Sequence, residues 1–482
     1  MTSQPTPIPN SNCSAICPPT RPKSSSVSHS PDTAAHLLAC FSSKPNSNHV
    51  RQDSAGKSLT PWAISRTKIL LLENVNSLAV EILTEKGYLV DEVKTSLSEQ
   101  ELIDKLRSGH YSGLGIRSKT KVTARVIKEV AGQLLVIGCF CIGTNQVDLT
   151  AAASAGVSVF NSPFSNSRSV AELVIGEVIA LSRQLLDCSS ELRRGIWNKV
   201  SKGCWEVRGK TLGIVGYGHI GSQLSVLAES MGMTVIYHDA IPIMPLGSAR
   251  QTSDLESMLK VADFVTVHVP ELPETIGLIS ANELAQMKSG SYLINNARGQ
   301  VVDIPALIDA LESKHLAGAA LDVFPNEPAG NGPHFNNELN SWTSRLQKLP
   351  NVILTPHIGG STEEAQRAIG AEVAQALVRY INFGSTIGAV NFPEVTLRPI
   401  LEPGLVRVCH VHQNQPGVLR NITAIVGDYN VEKQYSDSRG DIAYLLADIQ
   451  VSHLTDVSHA EICSLFERIL GTSSNIKTRI LH

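Results

Sequence analysis

Three ionisable residues stand just past short apolar runs in the second half of the chain. They are Arg298 in Asn-Asn-Ala-Arg-Gly, Glu327 in Asp-Val-Phe-Pro-Asn-Glu-Pro, and His357 in Thr-Pro-His-Ile-Gly-Gly. Each type suits one part of the oxidation of a secondary alcohol. A base must take the hydroxyl proton while a hydride leaves, and an imidazole has the right intrinsic pKa for that task. A carboxylate on the other ring nitrogen fixes the tautomer and stabilises the imidazolium. A guanidinium grips a substrate carboxylate as a bidentate fork and polarises the carbonyl in the reverse direction. Taken singly, each reads better as an ordinary loop residue: a satisfied histidine, a surface arginine, a Glu-Pro pair. Their common placement at the ends of successive strands reverses that balance.

A second constellation is Gly216-Tyr-Gly218-His-Ile-Gly221, a G-x-G-x-x-G sequence. It follows an apolar run at 212–215 and opens a helical stretch through Leu224 to Met231, which is the context the motif needs. Gly216 allows a tight turn, Gly218 lets the backbone approach a pyrophosphate, and Gly221 lets the helix pack close to the sheet. The helix N-terminus then offers free N–H groups to the anion. Asp239 ends the next apolar run, eighteen residues after Gly221. A carboxylate there can bind both ribose hydroxyls and would repel a 2′-phosphate, which favours NAD over NADP. Arg250 lies further along and bears on the same choice. A glycine-rich turn without a ligand is the competing reading; strand, helix and acid together argue against it.

These residues need elements to gather them. Six apolar runs recur at 212–215, 234–237, 264–269, 292–295, 319–323 and 352–355, with helical stretches between most of them. That alternation predicts a doubly wound α/β sheet, whose carboxyl strand ends face one crevice. Upstream, Lys68-Ile-Leu-Leu-Leu72 opens a smaller alternating α/β region that runs to about Phe160, and a long helix is expected over 169–194. Downstream, Asn391-Phe-Pro393 marks a boundary and Glu402-Pro-Gly404 a short linker. The remainder reads strand 405–411, helix 416–428, strand 431–437, strand 441–451, helix 459–470 and strand 476–481, the βαββαβ order of a ferredoxin-like fold.

Residues 1–65 are rich in Ser, Pro, Thr and Asn and hold only two acids, Asp32 and Asp53. A disordered tail is expected. Few acids and many serines also fit an organellar presequence, against which stand the sparse arginines, Arg21 and Arg51, and the helix-breaking prolines. The net charge of −3 gives no global field for nucleic acid or an anionic membrane. No apolar run approaches the roughly 18 residues of a spanning helix; the most apolar helical stretch is interrupted by Glu172 and Glu177. Nine dispersed cysteines make no disulfide framework, and Cys139-Phe-Cys141 is too tight for a zinc pair. Free thiols in a reducing, cytoplasmic setting and no metal are expected.

Long runs resemble the D-isomer-specific 2-hydroxyacid dehydrogenases, with a closer likeness to the short phosphoglycerate dehydrogenases of bacteria and fungi. They are Gly-Ile-Arg-Ser-Lys-Thr (115–120) and the stretches 137–148, 160–172, 215–221 and 355–366. The likeness covers Lys68 to His482. It implies a Rossmann-type NAD-binding domain (171–357) inserted into a discontinuous, flavodoxin-like substrate domain (66–170 and 358–395), followed by a ferredoxin-like ACT domain (404–482). It implies Arg298, Glu327 and His357 in the roles given above. In the nucleotide site it implies His219, Ile220, Asp239, Arg298, Asp322 and the turn His357, Ile358, Gly359, Gly360. For the substrate phosphate it points to Arg117, Ser118 and Asn166, while Trp197 and Lys199 belong to a stretch that reaches a neighbouring subunit in relatives. The family usually reads Asn-Ala-Ser-Arg-Gly where this chain has Asn295-Asn-Ala-Arg-Gly299, so Asn296 and Ala297 are departures at the cofactor.

The ACT resemblance implies that His412, Asn414 and Asn430 bind serine across a subunit interface, within a homotetramer. The resulting expectation is reversible NAD-linked oxidation of 3-phospho-D-glycerate, the first step of L-serine biosynthesis, under feedback by serine. Two other readings stand beside it. One is a reductase of 2-oxoglutarate, glyoxylate, hydroxypyruvate or another 2-oxo acid. The other is an NAD-sensing, corepressor-like binding protein, since fold alone does not decide function.

Overall fold

Apolar runs too short for helices become the strands of three sheets. The first holds β1 (Lys68–Leu72), β2 (Leu89–Val93), β3 (Gly113–Ile116), β4 (Val136–Cys139) and β5 (Ser158–Phe160), all parallel, in the order β2-β1-β3-β4-β5. This is the flavodoxin-like order. The inner strands are buried along nearly their whole length, as expected when helices cover both faces. A helix from far downstream, Glu363–Phe383, completes this lobe: Ile369, Val373 and Leu377 share a core with Ile69, Leu71 and Val136. The computed structural model describes residues 67–199, 201–328, 331–400, 404–451 and 459–481, and these fall within one compact unit. The expected tail (1–65) and Glu402-Pro403 of the expected linker lie outside the described residues.

The second sheet holds β6 (Thr211–Val215), β7 (Thr234–His238), β8 (Arg250–Gln251), β9 (Phe264–Val267), β10 (Tyr292–Asn295), β11 (Gly318–Leu321) and β12 (Val352–Leu354). It is parallel, in the order β12-β11-β10-β9-β6-β7-β8, the Rossmann arrangement with a further strand at one edge. The order reverses on either side of β6, which opens a crevice at the carboxyl ends of β6 and β9. All six apolar runs are strands. The short edge strand β8 is exposed at both residues and carries no apolar signal.

The helix expected over 169–194 is two helices, Ser167–Arg183 and Leu185–Arg193, broken at Gln184 in a left-handed conformation (φ 49°). The cause is local competition. A continuous helix would give the Ser182 carbonyl to residue 186; here the Trp205 N–H takes it at 2.8 Å. The second piece buries no residue, so no packing holds it in line with the first.

The third sheet is antiparallel: β13 (Leu405–Gln413), β14 (Asn430–Arg439), β15 (Ile442–Gln450) and β16 (Asn475–Leu481), in the order β14-β15-β13-β16. With helices Val418–Val426 and His459–Leu470 it is ferredoxin-like. Val406, Val408, Leu445 and Ile449 face those helices. Cys409, Val411, Tyr444 and Leu446 face Leu377, Tyr380 and Ile381 of the first lobe. Among the described residues no helix is long and apolar enough to cross a membrane.

Candidate active site

His357 sits in the turn after β12 with φ 55°, a left-handed conformation that strains a residue bearing a side chain. Asp322, at the end of β11 and 1% exposed, holds that turn. Its oxygens accept from the Ile358 N–H at 2.8 Å, the Gly359 N–H at 2.7 Å and the Thr355 hydroxyl at 2.6 Å. The His357 ring then meets Glu327 from the loop after β11, with Nδ1 2.8 Å from Oε2. The other oxygen, Oε1, accepts the Phe324 N–H at 3.2 Å. The hydrogen bond to Glu327 raises the His357 pKa above its ordinary value against partial burial. Burial is the largest single influence on the Glu327 carboxyl and pushes it up, but the bond to His357 and its charge, the Phe324 N–H and the Arg298 charge together leave the group below the usual range. Nε2 of the histidine is left for a reacting proton.

Arg298 leaves the end of β10 through a turn built by Asn295, which is fully buried. The Asn295 amide donates to the Arg298 carbonyl at 3.0 Å and accepts the Ala297 N–H at 3.1 Å. A Cβ on Gly299 would collide with the Phe324 carbonyl group, so the loops after β10 and β11 touch backbone to backbone. That contact brings the three groups together: the Arg298 charge acts on both His357 and Glu327. Arg298 and Arg117 both act on the thiol of Cys141, which burial pushes up to about 11. Arg117, after β3, thus faces the same cleft from the first lobe.

The glycine motif is shaped as its spacing predicts. Gly216 has φ 92°, and a Cβ there would lie 2.6 Å from the His268 carbonyl oxygen. A Cβ on Gly221 would run into the Gly216 carbonyl oxygen, whereas one on Gly218 would meet nothing within 4 Å. Gly218 caps the helix His219–Ser230 without a side-chain hydrogen bond, leaving its first N–H groups for an anion. Asp239 follows β7, its carboxylate fixed by the Tyr217 N–H at 2.8 Å. Open backbone at Gly218, orphan donors and an acid at the next strand end fit a dinucleotide. His219 stacks on Phe164 of the first lobe at 3.6 Å between centroids. Ile358 is 40% exposed and Gly360 lies against the Asn166 amide. Asn296 and Ala297 are both buried, and Asn296 gives its amide N–H to Glu177 at 2.8 Å.

Beside Arg117 lies a cavity of about 600 Å³, whose lining includes Asn76, Arg117, Ser361, Gln366 and Arg367. Neither arginine has an ion pair among the described residues. Glu81 and Glu363 share the cavity, so its charge is balanced rather than strongly positive. Ser118 is exposed beside Arg117. Asn166 is buried against Gly360 and does not line this space. Trp197 is 81% exposed and Lys199 is exposed; within one chain neither lines the cavity. Sequence reasoning missed Arg367, which sits at helical spacing from the Ser361-Thr362 turn and looks like an ordinary surface charge.

In the third sheet, His412 is buried, its Nδ1 2.8 Å from the Gln413 carbonyl and its Nε2 without a hydrogen-bond partner among the described residues. Asn414 donates to the Gly440 carbonyl and Asn430 to Glu432. His412 pairs with Ala443 and Asn430 with Gln450, at opposite ends of β15. Seven residues of strand put them about 23 Å apart within one chain.

The model of the D-isomer specific 2-hydroxyacid dehydrogenase NAD binding domain matches residues 175–359. The chain is 58% identical over 429 residues to D-3-phosphoglycerate dehydrogenase 1 of Saccharomyces cerevisiae, covering 88% of this chain and 90% of that one. It is 48% identical over 420 residues to D-3-phosphoglycerate dehydrogenase of Escherichia coli K12, covering 86% and 98%. Among solved structures, the NAD-complexed D-isomer specific 2-hydroxyacid dehydrogenase of Lactobacillus delbrueckii superposes with a TM-score of 0.57 at 26% identity, over 65% of this chain and 96% of that one. The chain therefore belongs to the D-isomer-specific 2-hydroxyacid dehydrogenase family, as an NAD-dependent oxidoreductase acting on a small molecule, in the branch whose curated members are named D-3-phosphoglycerate dehydrogenase.

Proposed function

We propose that the chain oxidises 3-phospho-D-glycerate to 3-phosphohydroxypyruvate, reversibly, as the first step of L-serine biosynthesis. The observation that carries this is the hydrogen-bonded His357–Glu327 pair under the Arg298 charge, with a cavity reached a few residues along the same turn whose lining includes Arg117 and Arg367, neither in an ion pair among the described residues. Arg298 holds the substrate carboxylate, and Arg117 with Arg367 holds the phosphate at the cationic side of the cavity. His357 Nε2 takes the C2 hydroxyl proton, while its Nδ1–H stays on Glu327, which stabilises the imidazolium. NAD, when bound, supplies the acceptor for the C2 hydride. Gly216, Gly218, Gly221 and the first N–H groups after Gly218 would hold its pyrophosphate and Asp239 its ribose, with the Asp322-held turn 357–360 also part of the site. In reverse, His357 would give its proton to the oxygen of a 2-oxo acid, and NADH, when bound, would supply the hydride.

We assign residues 66–170 with 358–395 as the substrate domain, 171–357 as the cofactor domain, and 404–482 as an ACT domain that binds L-serine. The separation of His412 and Asn414 from Asn430 supports a site assembled from two copies, hence a homo-oligomer and, by resemblance, a tetramer. The test is NADH consumption with 3-phosphohydroxypyruvate, 2-oxoglutarate and glyoxylate, with and without L-serine. The phosphorylated substrate should be preferred and serine should inhibit. His357→Ala should lower turnover by about 10²–10⁴-fold while NADH still binds. Equal use of all three acids, or full activity of His357→Ala, would sink the assignment.

A further inference from the structure

Glu177 interrupts the buried face of a helix, and the reaction above gives it no task. Its helix, Ser167–Arg183, lies across the three strands that carry the catalytic residues: Val174, Val178 and Leu181 pack with Ile294 of β10, Ala320 of β11 and Ile353 of β12. Glu177 is 3% exposed and Asn296, two residues before Arg298, is 8% exposed. The Asn296 amide donates to Glu177 Oε2 at 2.8 Å. Two buried atoms of this pair have no hydrogen-bond partner among the described residues: Glu177 Oε1 and the Asn296 carbonyl oxygen Oδ1. Both are acceptors if the carboxyl is ionised, and an unsatisfied buried acceptor is costly. One proton on Oε1 would join them, giving a closed carboxyl–carboxamide pair with one hydrogen bond in each direction.

We propose that Glu177 is a positioning residue: held as the neutral acid, it pairs reciprocally with Asn296 and fixes the turn from which Arg298 reaches the substrate carboxylate. The part concerning Arg298 rests on the function proposed above; the pairing itself does not. The surroundings favour the neutral form. Burial is the main influence and pushes the carboxyl up to about 8, with the Asn296 bond opposing it; Asp322, the charged group facing it from the end of β11, pushes the same way as burial. No cation forms an ion pair with Glu177 among the described residues. The pairing also accounts for the family departure at residue 296: the larger side chain is taken up by the helix beneath the turn.

The pairing is tested on the full chain with Glu177→Gln, Glu177→Leu and Asn296→Ala. A glutamine reproduces both hydrogen bonds with no proton to lose. At pH 7, Glu177→Gln should match wild type in kcat and in KM for the 2-oxo acid. Glu177→Leu and Asn296→Ala should raise that KM by about tenfold or more, with KM for NADH nearly unchanged. Beyond the fall set by His357, wild type should show a rise in KM for the 2-oxo acid as pH passes about 8, where the Glu177 carboxyl ionises, and Glu177→Gln should lack that component. The infrared difference between wild type and Glu177→Gln at pH 7 should contain the carbonyl band of a protonated carboxyl. Absence of that band, or Glu177→Gln as impaired as Asn296→Ala, would overturn the proposal. Should Glu177→Leu fail to fold, the other two variants decide. A band present in a protein that reduces no 2-oxo acid would uphold the pairing and reject the function assigned to Arg298.

Discussion

At the scale of the residue, the pair His357–Glu327 sets the pH response. The folded imidazole holds its proton to higher pH than a free one because Glu327 accepts Nδ1–H at 2.8 Å. Reduction of a 2-oxo acid needs the imidazolium, so its rate should persist above the ordinary histidine range and fall as pH rises through the raised value. Oxidation needs the neutral ring and should rise through the same value. The linkage to stability has the matching sign: the raised pKa favours the fold below the ordinary histidine value, and that contribution is lost as pH climbs through the folded one. Glu327→Gln removes the anion but keeps an acceptor. It should shift the fall in reduction to lower pH, read from kcat/KM profiles against 3-phosphohydroxypyruvate. A profile that does not move would mean that another group sets the limb.

At the scale of the element, the strand ends do the gathering. Gly221 is a tight joint between helix and strand in the nucleotide half, because any Cβ there meets the Gly216 carbonyl. Gly221→Ala should therefore push the helix His219–Ser230 off the loop, weakening NADH binding in a fluorescence titration and destabilising the fold by about 1–3 kcal/mol. Unchanged NADH affinity would mean that the helix N-terminus does not seat the pyrophosphate. The glycines, Asp239 and the three residues proposed as catalytic were legible because each belongs to a short local pattern tied to a strand end. Glu177 was legible only as a break in an apolar helix: its partner Asn296 lies 119 residues away, and nothing local reports the pairing. The break at Gln184 escaped for the same reason, since the competing donor, Trp205, comes from a later loop. Strand β8 escaped because an exposed two-residue edge has no apolar periodicity to read.

At the scale of the whole molecule, one helix joins the two ends of the proposed regulation. Glu363–Phe383 has 21 residues and spans about 31 Å. Its N-terminal turn lines the Arg117 cavity through Glu363, Gln366 and Arg367. Its C-terminal carbonyls are held by cations of the third sheet: Arg407 on Phe383 at 2.9 Å, and Arg479 on Tyr380 at 3.0 Å and Ile381 at 3.2 Å. Positive charge at a helix C-terminus is the favourable sign. Arg407 is oriented in turn by Asp448 of β15 at 2.6 Å, both essentially buried. Removing either partner alone strands a buried charge and should cost about 3–5 kcal/mol, whereas replacing both with apolar groups is often neutral. The double variant Arg407→Met with Asp448→Leu is thus the informative one: the sheet stays packed but the hold of Arg407 on the helix end is removed, while that of Arg479 remains. If a ligand at His412 acts through the Arg407 hold, the double variant should keep basal turnover and need about tenfold more L-serine for half inhibition. Continuity of packing is not itself coupling, and the variant separates the two. A double variant that folds, turns over and still answers to serine as wild type does would show that the signal does not pass through the hold of Arg407 on this helix.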